Sequence, residues 1–339
     1  MTKTILITGG AGFLGSNLVR YLLEHYPNYQ ILILDALTYA GSMDNIPRDQ
    51  RVQFCYGNVR NAELVSKLVG QSDIVIHAAA ETHITRSIYD NLLFFETDVL
   101  GTQTVANAVL SHSNKVERFI HISTSEVYGT AVMSVMNEEH PLLPASPYAA
   151  AKTGADRLVY SYWNTYDIPA VILRPFNYYG EFQHLEKVIP RFITSCILNE
   201  PITIHGDGKA SRDWVFVRDV CWAIDQAMHC PLIQIKGEVI NIGSGVSTSI
   251  MSLAETIVDW MGVDRGLITY TNDRPGQVFR HTSSTDKARA VLDWVPTVWL
   301  EEGLPSTIKW YEKNREWWEK QLWMRSIQIT GKDGKRMVH

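Results

Sequence analysis

Short apolar runs alternate with amphipathic stretches over the first 175 residues of the chain. The apolar runs predict six strands: Thr4–Thr8, Gln30–Asp35, Val52–Tyr56, Ile74–His77, Arg118–Ser123 and Ala170–Leu173. Stretches with apolar residues at helical spacing predict intervening helices, which include Phe13–Tyr26, Asn91–Ser111 and Tyr148–Tyr166. Such alternation is typical of a parallel sheet with helices on both faces. Residues 1–175 are therefore predicted to form an α/β domain with a doubly wound parallel sheet.

The pattern changes after residue 175. Polar and aromatic loops separate shorter elements, and residues 176–325 are expected to form a smaller, mixed α/β lobe that binds the substrate. The run Gly237–Ile242 has the character of a buried strand, which predicts that a strand near residues 237–243 returns to the first sheet. A helical pattern over Leu300–Leu322 carries several tryptophans, which are expected to cover this lobe or an oligomer contact. Residues 326–339 are a polar tail.

Composition and charge argue against several classes of protein. The chain has 339 residues, of which 45% are hydrophobic and 20% are charged, as in an ordinary globular protein. No apolar run approaches the roughly 20 residues of a membrane span. Met1 leads directly into a predicted strand, so no signal peptide is expected. A net charge of −5 argues against a nucleic acid partner, because domains that bind nucleic acids usually present a basic face.

The four cysteines are scattered along the chain without the Cys-x-x-Cys spacing of many metal sites. Neither a metal ion nor a disulfide framework is therefore expected. Unpaired cysteines of this kind favour a reducing compartment, and a cytoplasmic location is predicted.

A glycine-rich turn, Thr8-Gly-Gly-Ala-Gly-Phe-Leu-Gly15, follows the first predicted strand and begins the first helix. Gly9 permits a tight turn, Gly12 lets a pyrophosphate approach the backbone, and Gly15 allows close packing of the helix on the strand. The helix N-terminus presents free N–H groups and a partial positive charge to the phosphates. The turn therefore predicts a dinucleotide site, which includes Phe13 and Leu14.

Asp35 ends the second predicted strand, and its position identifies the dinucleotide. A carboxylate there accepts hydrogen bonds from the ribose hydroxyls and repels a 2′-phosphate, which favours NAD over NADP. Asn58 and Val59 follow the third strand and are expected beside the adenine. Ala78 and Ala80 follow the fourth strand and leave room for the cofactor. Together these residues predict a Rossmann-type domain that binds NAD.

Candidate catalytic residues follow the fifth predicted strand and begin the next helix. Tyr148 and Lys152 lie one helical turn apart, so that their side chains share a face. The ammonium of Lys152, together with the cationic nicotinamide, is expected to lower the pKa of Tyr148 and make it a usable base. Lys152 can also hold the nicotinamide ribose. Thr124, Ser125 and Glu126 add two hydroxyls and a carboxylate. The carboxylate of Glu126 indicates chemistry beyond alcohol oxidation.

Several longer stretches carry a family resemblance: Asp35–Gly41, Glu81–Ile88, Ser146–Lys152, Glu186–Pro190, Gly206–Trp214 and Asp273–Gly276. On these stretches the chain resembles the extended short-chain dehydrogenases/reductases that act on nucleotide-sugars, and most of all the dTDP-glucose 4,6-dehydratases. The resemblance implies a Rossmann fold, bound NAD and a nucleotide-diphosphate sugar as substrate. It also implies a homodimer, in which Asn91–Ser111 and Tyr148–Tyr166 of both subunits form a four-helix contact.

The resemblance further implies a catalytic cycle. Tyr148, helped by Thr124, takes the proton of the C4 hydroxyl while a hydride passes from C4 to NAD⁺. Glu126 then removes the C5 proton, which the new 4-ketone has made acidic, and water leaves from C6. NADH returns the hydride to C6 and gives a 4-keto-6-deoxy sugar. The residues that the resemblance places at the substrate are Thr82, His83, Arg86, Asn177, Glu186, Lys187, Arg212 and Arg274.

The match to the dTDP-glucose 4,6-dehydratases breaks at Ser125. The family has an aspartate there that protonates the departing C6 hydroxyl, and a serine hydroxyl is a poor general acid. Glu126 could serve both steps. Smaller departures are Thr85 in place of an aspartate, Asp98 in place of an asparagine and Gln277 in place of a histidine.

The Thr-Ser-Glu arrangement also resembles the GDP-mannose 4,6-dehydratases and the UDP-glucuronate decarboxylases. The leading hypothesis is an NAD-dependent lyase, a nucleotide-hexose 4,6-dehydratase. A nucleotide-uronate decarboxylase or a 4-epimerase on the same scaffold is the alternative. The epimerase needs no C5 base. The decarboxylase should carry a cation for the C6 carboxylate, and Arg86, Arg274 and Arg280 are the candidates. A non-catalytic NAD-binding sensor is the hypothesis of a different class, against which Thr124, Tyr148 and Lys152 argue.

Overall fold

The computed structural model of the protein describes residues 2–273, 275–325, 328–330 and 336–338. Its strands are short and belong to four sheets. The strands are β1 (Thr4–Thr8), β2 (Gln30–Asp35), β3 (Val52–Tyr56), β4 (Ile74–His77), β5 (Arg118–Ile122), β6 (Ala170–Pro175), β7 (Asn177–Tyr179), β8 (Ile202–His205), β9 (Ser211–Phe216), β10 (Val239–Ile242), β11 (Ser247–Ser249), β12 (Ile268–Thr271), β13 (Gln328–Thr330) and β14 (Arg336–Val338).

The central sheet has seven parallel strands in the order β10-β6-β5-β4-β1-β2-β3. The prediction of a doubly wound, Rossmann-type α/β fold is confirmed. β10 comes from the second half of the chain and pairs with β6, with Val239 opposite Ile172. The strand order reverses between β1 and β4, and ligands of such sheets bind beyond the carboxyl ends of the strands at this point.

Helices cover both faces of the central sheet. α1 and α8 pack on one face, and α2, α5 and α6 pack on the other. Because both faces are covered, β4 is buried along its whole length and carries apolar residues at consecutive positions. The helices are α1 (Phe13–His25), α2 (Ala62–Val69), α3 (Ile84–Tyr89), α4 (Leu92–Phe94), α5 (Thr102–Ser111), α6 (Pro147–Tyr166), α7 (Val188–Leu198), α8 (Val217–His229), α9 (Leu232–Ile235), α10 (Ile250–Met261), α11 (Asp286–Leu292), α12 (Leu300–Lys313) and α13 (Arg315–Glu319).

One predicted helix is interrupted. The segment 91–111 consists of α4, a π-helical segment Phe95–Gly101 and α5. Such π-helical turns are rare and frequently lie at functional sites. This one contains the buried Asp98, whose carboxylate interacts with the positive charge of Lys152. The predicted helix 300–322 is likewise divided, and α12 ends at Lys313 before α13 begins at Arg315.

The second lobe has its own apolar core between α7, α10 and α12. Its strands form a three-stranded sheet, β11-β9-β7, and a parallel pair of β8 with β12. Trp318 is fully buried in this core and donates a 2.7 Å hydrogen bond to the carbonyl of Tyr311, whereas Trp323 is 60% exposed. Across the described residues, none of the helices combines the length and the apolar character that crossing a membrane would require.

Candidate active site

A cavity of about 1160 Å³ lies beyond the carboxyl ends of β1, β4 and β5 and extends into the second lobe. With the exception of Lys152, every predicted cofactor residue lines it: Gly9, Gly12, Phe13, Leu14, Gly15, Asp35, Asn58, Val59, Ala78, Ala80 and Tyr148. The predicted catalytic residues Thr124, Ser125 and Glu126 line the same cavity. The cavity therefore brings the predicted cofactor residues and the predicted catalytic residues together.

The glycine-rich turn is held against the end of β4, and only glycine fits at two of its positions. Gly9 has a φ of +73°, and a Cβ there would lie 2.7 Å from the backbone nitrogen of Ala79. A Cβ at Gly15 would lie 2.2 Å from the carbonyl oxygen of Gly9. At the start of α1, Gly12 is the N-cap and provides no side-chain cap. The turn thus leaves the first N–H groups of α1 for an anionic ligand, as a pyrophosphate requires.

Asp35 is fixed by the turn that it faces. Its two carboxylate oxygens accept hydrogen bonds from the backbone nitrogens of Ala11, at 2.9 Å, and Leu37, at 2.8 Å. Burial raises the pKa of Asp35, and these two bonds oppose the rise. A carboxylate in this position suits the hydroxyls of a ribose and not a 2′-phosphate.

Helix α6 begins in a way that sets Tyr148 at the cavity wall. The hydroxyl of Ser146 accepts a 3.1 Å hydrogen bond from the nitrogen of Ala149, and Pro147 occupies the first turn. Lys152 lies one turn further along, is fully buried behind the wall, and donates a 2.8 Å hydrogen bond to the carbonyl of Ile122 at the end of β5. Burial lowers the pKa of Lys152.

The protein groups alone shift the pKa of Tyr148 upward, whereas the expected decrease also depends on the positive charge of the nicotinamide. Burial raises this pKa well above the ordinary value, the negative charges of Asp98 and Glu126 add to the rise, and a hydrogen bond with Thr124 opposes it. The Tyr-x-x-x-Lys spacing is present as predicted. However, spacing does not report the low polarity around the phenol, which here is the larger effect.

Ser125 and Glu126 lie on a single 3-10 turn, Ser125–Tyr128, that follows β5. Thr124 caps this turn, and its hydroxyl accepts a 3.2 Å hydrogen bond from the nitrogen of Glu126. Behind the turn, the Ser125 hydroxyl is 3.2 Å from Nδ1 of the buried His281, whose Nε2 is 2.9 Å from the carbonyl of Gly129. Ser125 is thus paired with an imidazole.

The region behind Tyr148 holds two buried carboxyls. Asp98 accepts a 2.8 Å hydrogen bond from the backbone nitrogen of Glu81, and both residues are almost fully buried. One carboxylate oxygen of each has no hydrogen-bond partner within the described part of the chain. Burial raises the pKa of Asp98 to about 7, and the positive charge of Lys152 limits the rise.

The second lobe contributes a cluster around Glu186 to the cavity wall. Its carboxylate pairs with Lys187 at 2.9 Å and accepts a 3.2 Å hydrogen bond from the hydroxyl of Tyr39. Burial by itself would raise the pKa of Glu186, but Lys187, His184 and His83 together outweigh burial, and the pKa falls to about 2. His83 lies 3.5 Å from the same carboxylate, and burial lowers its pKa to about 4.

Most of the residues predicted at the substrate line the cavity: Thr82, His83, Asn177, Glu186, Lys187 and Arg212. Arg86 is not among the described residues that line it, and its guanidinium lies 5.0 Å from the centre of the Tyr39 ring instead. Arg274 lies outside the described residues. Arg212 is buried on β9, and one of its nitrogens donates a 2.9 Å hydrogen bond to the carbonyl of Ser211.

Comparison with known proteins agrees with this geometry. A sequence model of the GDP-mannose 4,6-dehydratase family matches residues 6–307. The chain belongs to this family. It is 42% identical to the low-salt glycan biosynthesis protein Agl12 of Haloferax volcanii, over 91% of this chain and 98% of that protein. It is 38% identical to a dTDP-glucose 4,6-dehydratase of Streptomyces niveus, over 93% of this chain and 94% of that protein.

A solved structure from the same group superposes closely on this 4,6-dehydratase family member. DesIV, a dTDP-glucose 4,6-dehydratase from Streptomyces venezuelae solved with NAD bound, gives a TM-score of 0.89 at 37% identity. The superposition covers 94% of this chain and 99% of DesIV. The resemblance stated from the sequence motifs is thereby confirmed at the level of the family.

Sequence reasoning missed two residues in this family member that the structure brings to the site. His281 pairs with Ser125 from a position 156 residues away, and no local motif marks it. Glu81 lies within a stretch that carried the family resemblance, yet nothing in its spacing indicated a buried carboxyl beside Asp98. Both residues stand out only because they are polar and buried, and their burial is a consequence of the fold.

Proposed function

We propose that this protein is an NAD-dependent nucleotide-hexose 4,6-dehydratase, which converts a dTDP-glucose-like substrate into a 4-keto-6-deoxy sugar. The observation that carries the proposal is that Thr124, Tyr148 and Glu126 line one cavity together with the dinucleotide turn. Oxidation at C4 needs a base for a hydroxyl, and elimination across C5 and C6 needs a second base beside it. The dTDP-glucose 4,6-dehydratases among the relatives support this substrate class.

The residues of the turn fit NAD. A Cβ on Gly9 or Gly15 would collide with backbone, so the turn stays open toward the phosphates. Asp35 would bind the adenosine ribose, and Lys152 would hold the nicotinamide ribose from behind Tyr148. Bound NAD⁺ would supply the hydride acceptor for C4, a positive charge that favours the Tyr148 phenolate, and the hydride that is returned to C6.

The side chains divide the proton transfers between them. Thr124 hydrogen bonds with Tyr148 and orients its hydroxyl, so that Tyr148 can take the proton of the C4 hydroxyl. The ketone at C4 acidifies the C5 hydrogen, and the carboxylate of Glu126 removes it. Both bases are held by backbone structure, since Tyr148 lies in the first turn of α6 and Thr124 caps the turn that carries Glu126.

The opposite end of the cavity fits a nucleotide diphosphate. Arg212 brings a positive charge to the wall, and Lys187 adds an ammonium that is paired with Glu186. A diphosphate binds well to such partly desolvated cations. Thr82, His83 and Asn177 would line the sugar and the phosphates. Lys187 is already positioned, because its ammonium donates a 2.9 Å hydrogen bond to the carbonyl of Thr82.

Glu126 favours the dehydratase over the two related reactions. A 4-epimerase needs no base at C5. A uronate decarboxylase needs a cation for the C6 carboxylate. Of the three candidate arginines, Arg274 lies outside the described residues, and the guanidiniums of the other two have contacts elsewhere. Arg86 stacks on Tyr39, and Arg280 donates to the carbonyls of Met133, at 2.5 Å, and Ser134, at 2.8 Å.

A non-catalytic NAD-binding sensor is the candidate of a different class. Such a protein has no need of a tyrosine and a carboxylate that open on the same cavity as the cofactor turn. The arrangement of Thr124, Glu126 and Tyr148 argues against it.

The proposal is tested by incubating the purified protein with NAD⁺ and each of several nucleotide-sugars, followed by mass analysis. dTDP-glucose, GDP-mannose, UDP-glucose and UDP-glucuronate form the panel. Loss of the mass of water is expected from one of the hexoses. Loss of carbon dioxide from the uronate alone, or an isomer of unchanged mass, would replace the dehydratase with the decarboxylase or the epimerase.

Glu126→Gln provides a matched variant for the same experiment. It keeps the size of the side chain and removes the base, so that NADH is expected to form on the enzyme while release of water stops. A variant that still dehydrates at the native rate would remove Glu126 from the mechanism.

The assembly and location are also part of the proposal. Large apolar side chains are exposed on the helices of the expected four-helix contact: Leu92, Phe95, Leu100, Tyr160 and Tyr166. A symmetric dimer would bury this patch against its own copy. The four cysteines are free thiols, which supports a reducing cytoplasm.

A further inference from the structure

Ser125 and His281 form a buried pair at the wall of the catalytic cavity. The Ser125 hydroxyl oxygen lies 3.2 Å from Nδ1 of His281, and Nε2 of His281 lies 2.9 Å from the carbonyl oxygen of Gly129. Ser125 is 2% exposed and His281 is fully buried. The imidazole is therefore held from both sides, and its orientation is fixed.

The direction of both hydrogen bonds follows from the chemistry of the partners. A carbonyl oxygen can only accept, so Nε2 of His281 carries the hydrogen that is donated to Gly129. In a neutral imidazole Nδ1 then has a lone pair and accepts. Ser125 must be the donor in the second bond. Burial lowers the pKa of His281 to about 4, which keeps the ring neutral near pH 7.

This direction decides what Ser125 can offer to a ligand. Its single hydroxyl proton is used by His281, so that only the lone pairs of its oxygen remain for the cavity. A serine in this state accepts a hydrogen bond and does not donate one. It therefore cannot act as the proton donor that an aspartate would be.

We propose that His281 is a positioning residue that holds Ser125 as a hydrogen-bond acceptor for the C6 hydroxyl of the sugar. The inference rests on the proposed dehydratase function and names the residues that carry out its elimination step. Ser125 orients the hydroxyl, and Glu126 moves the proton.

The elimination then balances through one carboxyl group. The carboxylate of Glu126 takes the proton from C5, and the electron pair of that C–H bond forms the C5–C6 double bond. The C6–O bond breaks with its electron pair on oxygen. The departing hydroxyl takes the proton from Glu126 and leaves as water, and Glu126 is a carboxylate again.

Ser125→Ala and His281→Phe test the inference, with NADH absorbance measured in a single turnover beside overall product formation. Both variants are expected to form enzyme-bound NADH at close to the native rate and to release product about tenfold more slowly, as the loss of one hydrogen bond to the reacting group predicts. NADH should therefore accumulate. The double variant should be no slower than either single variant, because both remove the same interaction.

Two further variants separate positioning from folding. His281→Asn can place its amide oxygen where Nδ1 lies, and it should recover part of the rate that His281→Phe loses. Ser284→Ala removes a hydroxyl close in the chain that bonds to Asp286, and it should behave like the native protein. If His281→Phe does not fold, Ser125→Ala and His281→Asn still decide the question.

The outcomes are distinct. Native turnover in Ser125→Ala, additive losses in the double variant, or slower NADH formation in both single variants would overturn the inference. If the native protein forms neither NADH nor a dehydrated product with any nucleotide-sugar, it is the proposed function that fails.

Discussion

The indole nitrogen of Trp317 donates a 2.8 Å hydrogen bond to the side-chain oxygen of Asn45. The amide nitrogen of Asn45 in turn donates a 2.8 Å bond to the carbonyl of Ala11 in the glycine-rich turn. The nitrogen of Ala11 donates to Asp35. A residue near the C-terminal end of the chain thus supports the turn and the carboxylate that are expected to bind the cofactor.

Trp317→Phe is therefore expected to weaken NAD binding without abolishing the fold. The change leaves the buried side-chain oxygen of Asn45 without its donor, at a cost of roughly 1 to 3 kcal/mol. NAD⁺ should bind several-fold more weakly, as measured by calorimetry or by the NAD content of the purified protein. Trp310→Phe removes an indole from the same aromatic cluster and serves as the control. Equal effects of the two variants would mean that packing, and not the Asn45 bond, matters.

Asp35→Asn is expected to shift the preference between the two dinucleotides. The amide removes the negative charge that repels a 2′-phosphate, and only its oxygen can still accept a hydrogen bond from Ala11 or Leu37. Affinity for NAD⁺ should fall about tenfold while that for NADP⁺ falls less or rises. Binding constants for both would be measured beside Asp44→Asn, a carboxylate in the following loop that pairs with Lys320. An unchanged ratio would contradict the role of Asp35.

Asp98→Asn is expected to stabilise the protein at high pH. The folded-state pKa of Asp98 is about 7, above the value of about 4 in an unfolded chain. Asp98 therefore contributes stability that is complete below about pH 4 and is lost as the pH rises through about 7. The variant stays neutral and keeps an oxygen for the nitrogen of Glu81. Its melting temperature should gain on that of the native protein between about pH 5 and pH 8, and a constant difference would contradict the raised pKa.

Tyr148→Phe is expected to stop the first chemical step. The variant keeps the aromatic ring and removes the proton acceptor, so that NADH formation from the nucleotide-sugar should fall at least about 100-fold. Stopped-flow absorbance would measure it. Tyr160→Phe, on the same helix and partly exposed, is the matched control and should retain the native rate. Native activity in Tyr148→Phe would remove this tyrosine from the proposed mechanism.

Leu100→Asp is expected to dissociate the proposed dimer. The side chain is 51% exposed in the π-helical segment, and a charge there would be buried in the four-helix contact without a partner. Sedimentation velocity should show a monomer. Ile233→Asp, at a side chain that is 89% exposed on α9, should leave the sedimentation coefficient unchanged. A native protein that sediments as a monomer would contradict the dimer.

Local sequence patterns predicted most of the strands and helices. The strands β1 to β4 have the limits that their apolar runs predicted, and the starts of α1 and α6 follow from glycine, serine and proline at their first positions. Most of the side chains that the family stretches placed at the substrate line the cavity. These features depend on the sequence near each residue, because propensity, periodicity and capping are local properties.

The interruption of the segment 91–111 could not be predicted in the same way. Its apolar spacing is helical throughout, yet the backbone changes to a π-helical form around Asp98. The pKa of Tyr148 likewise depends on how completely neighbouring elements exclude water, and not on the distance to Lys152 along the helix.

The sequence alone determined the parallel sheet, the glycine-rich turn and the candidate catalytic side chains, since each depends on a short stretch of chain. Tertiary structure alone decided that Ser125 pairs with His281 and that Trp317 supports the turn through Asn45. Those partners lie 156 and 272 residues apart. Their contacts exist because whole elements pack together, and hydrogen-bond direction and polarity at the site follow from that packing.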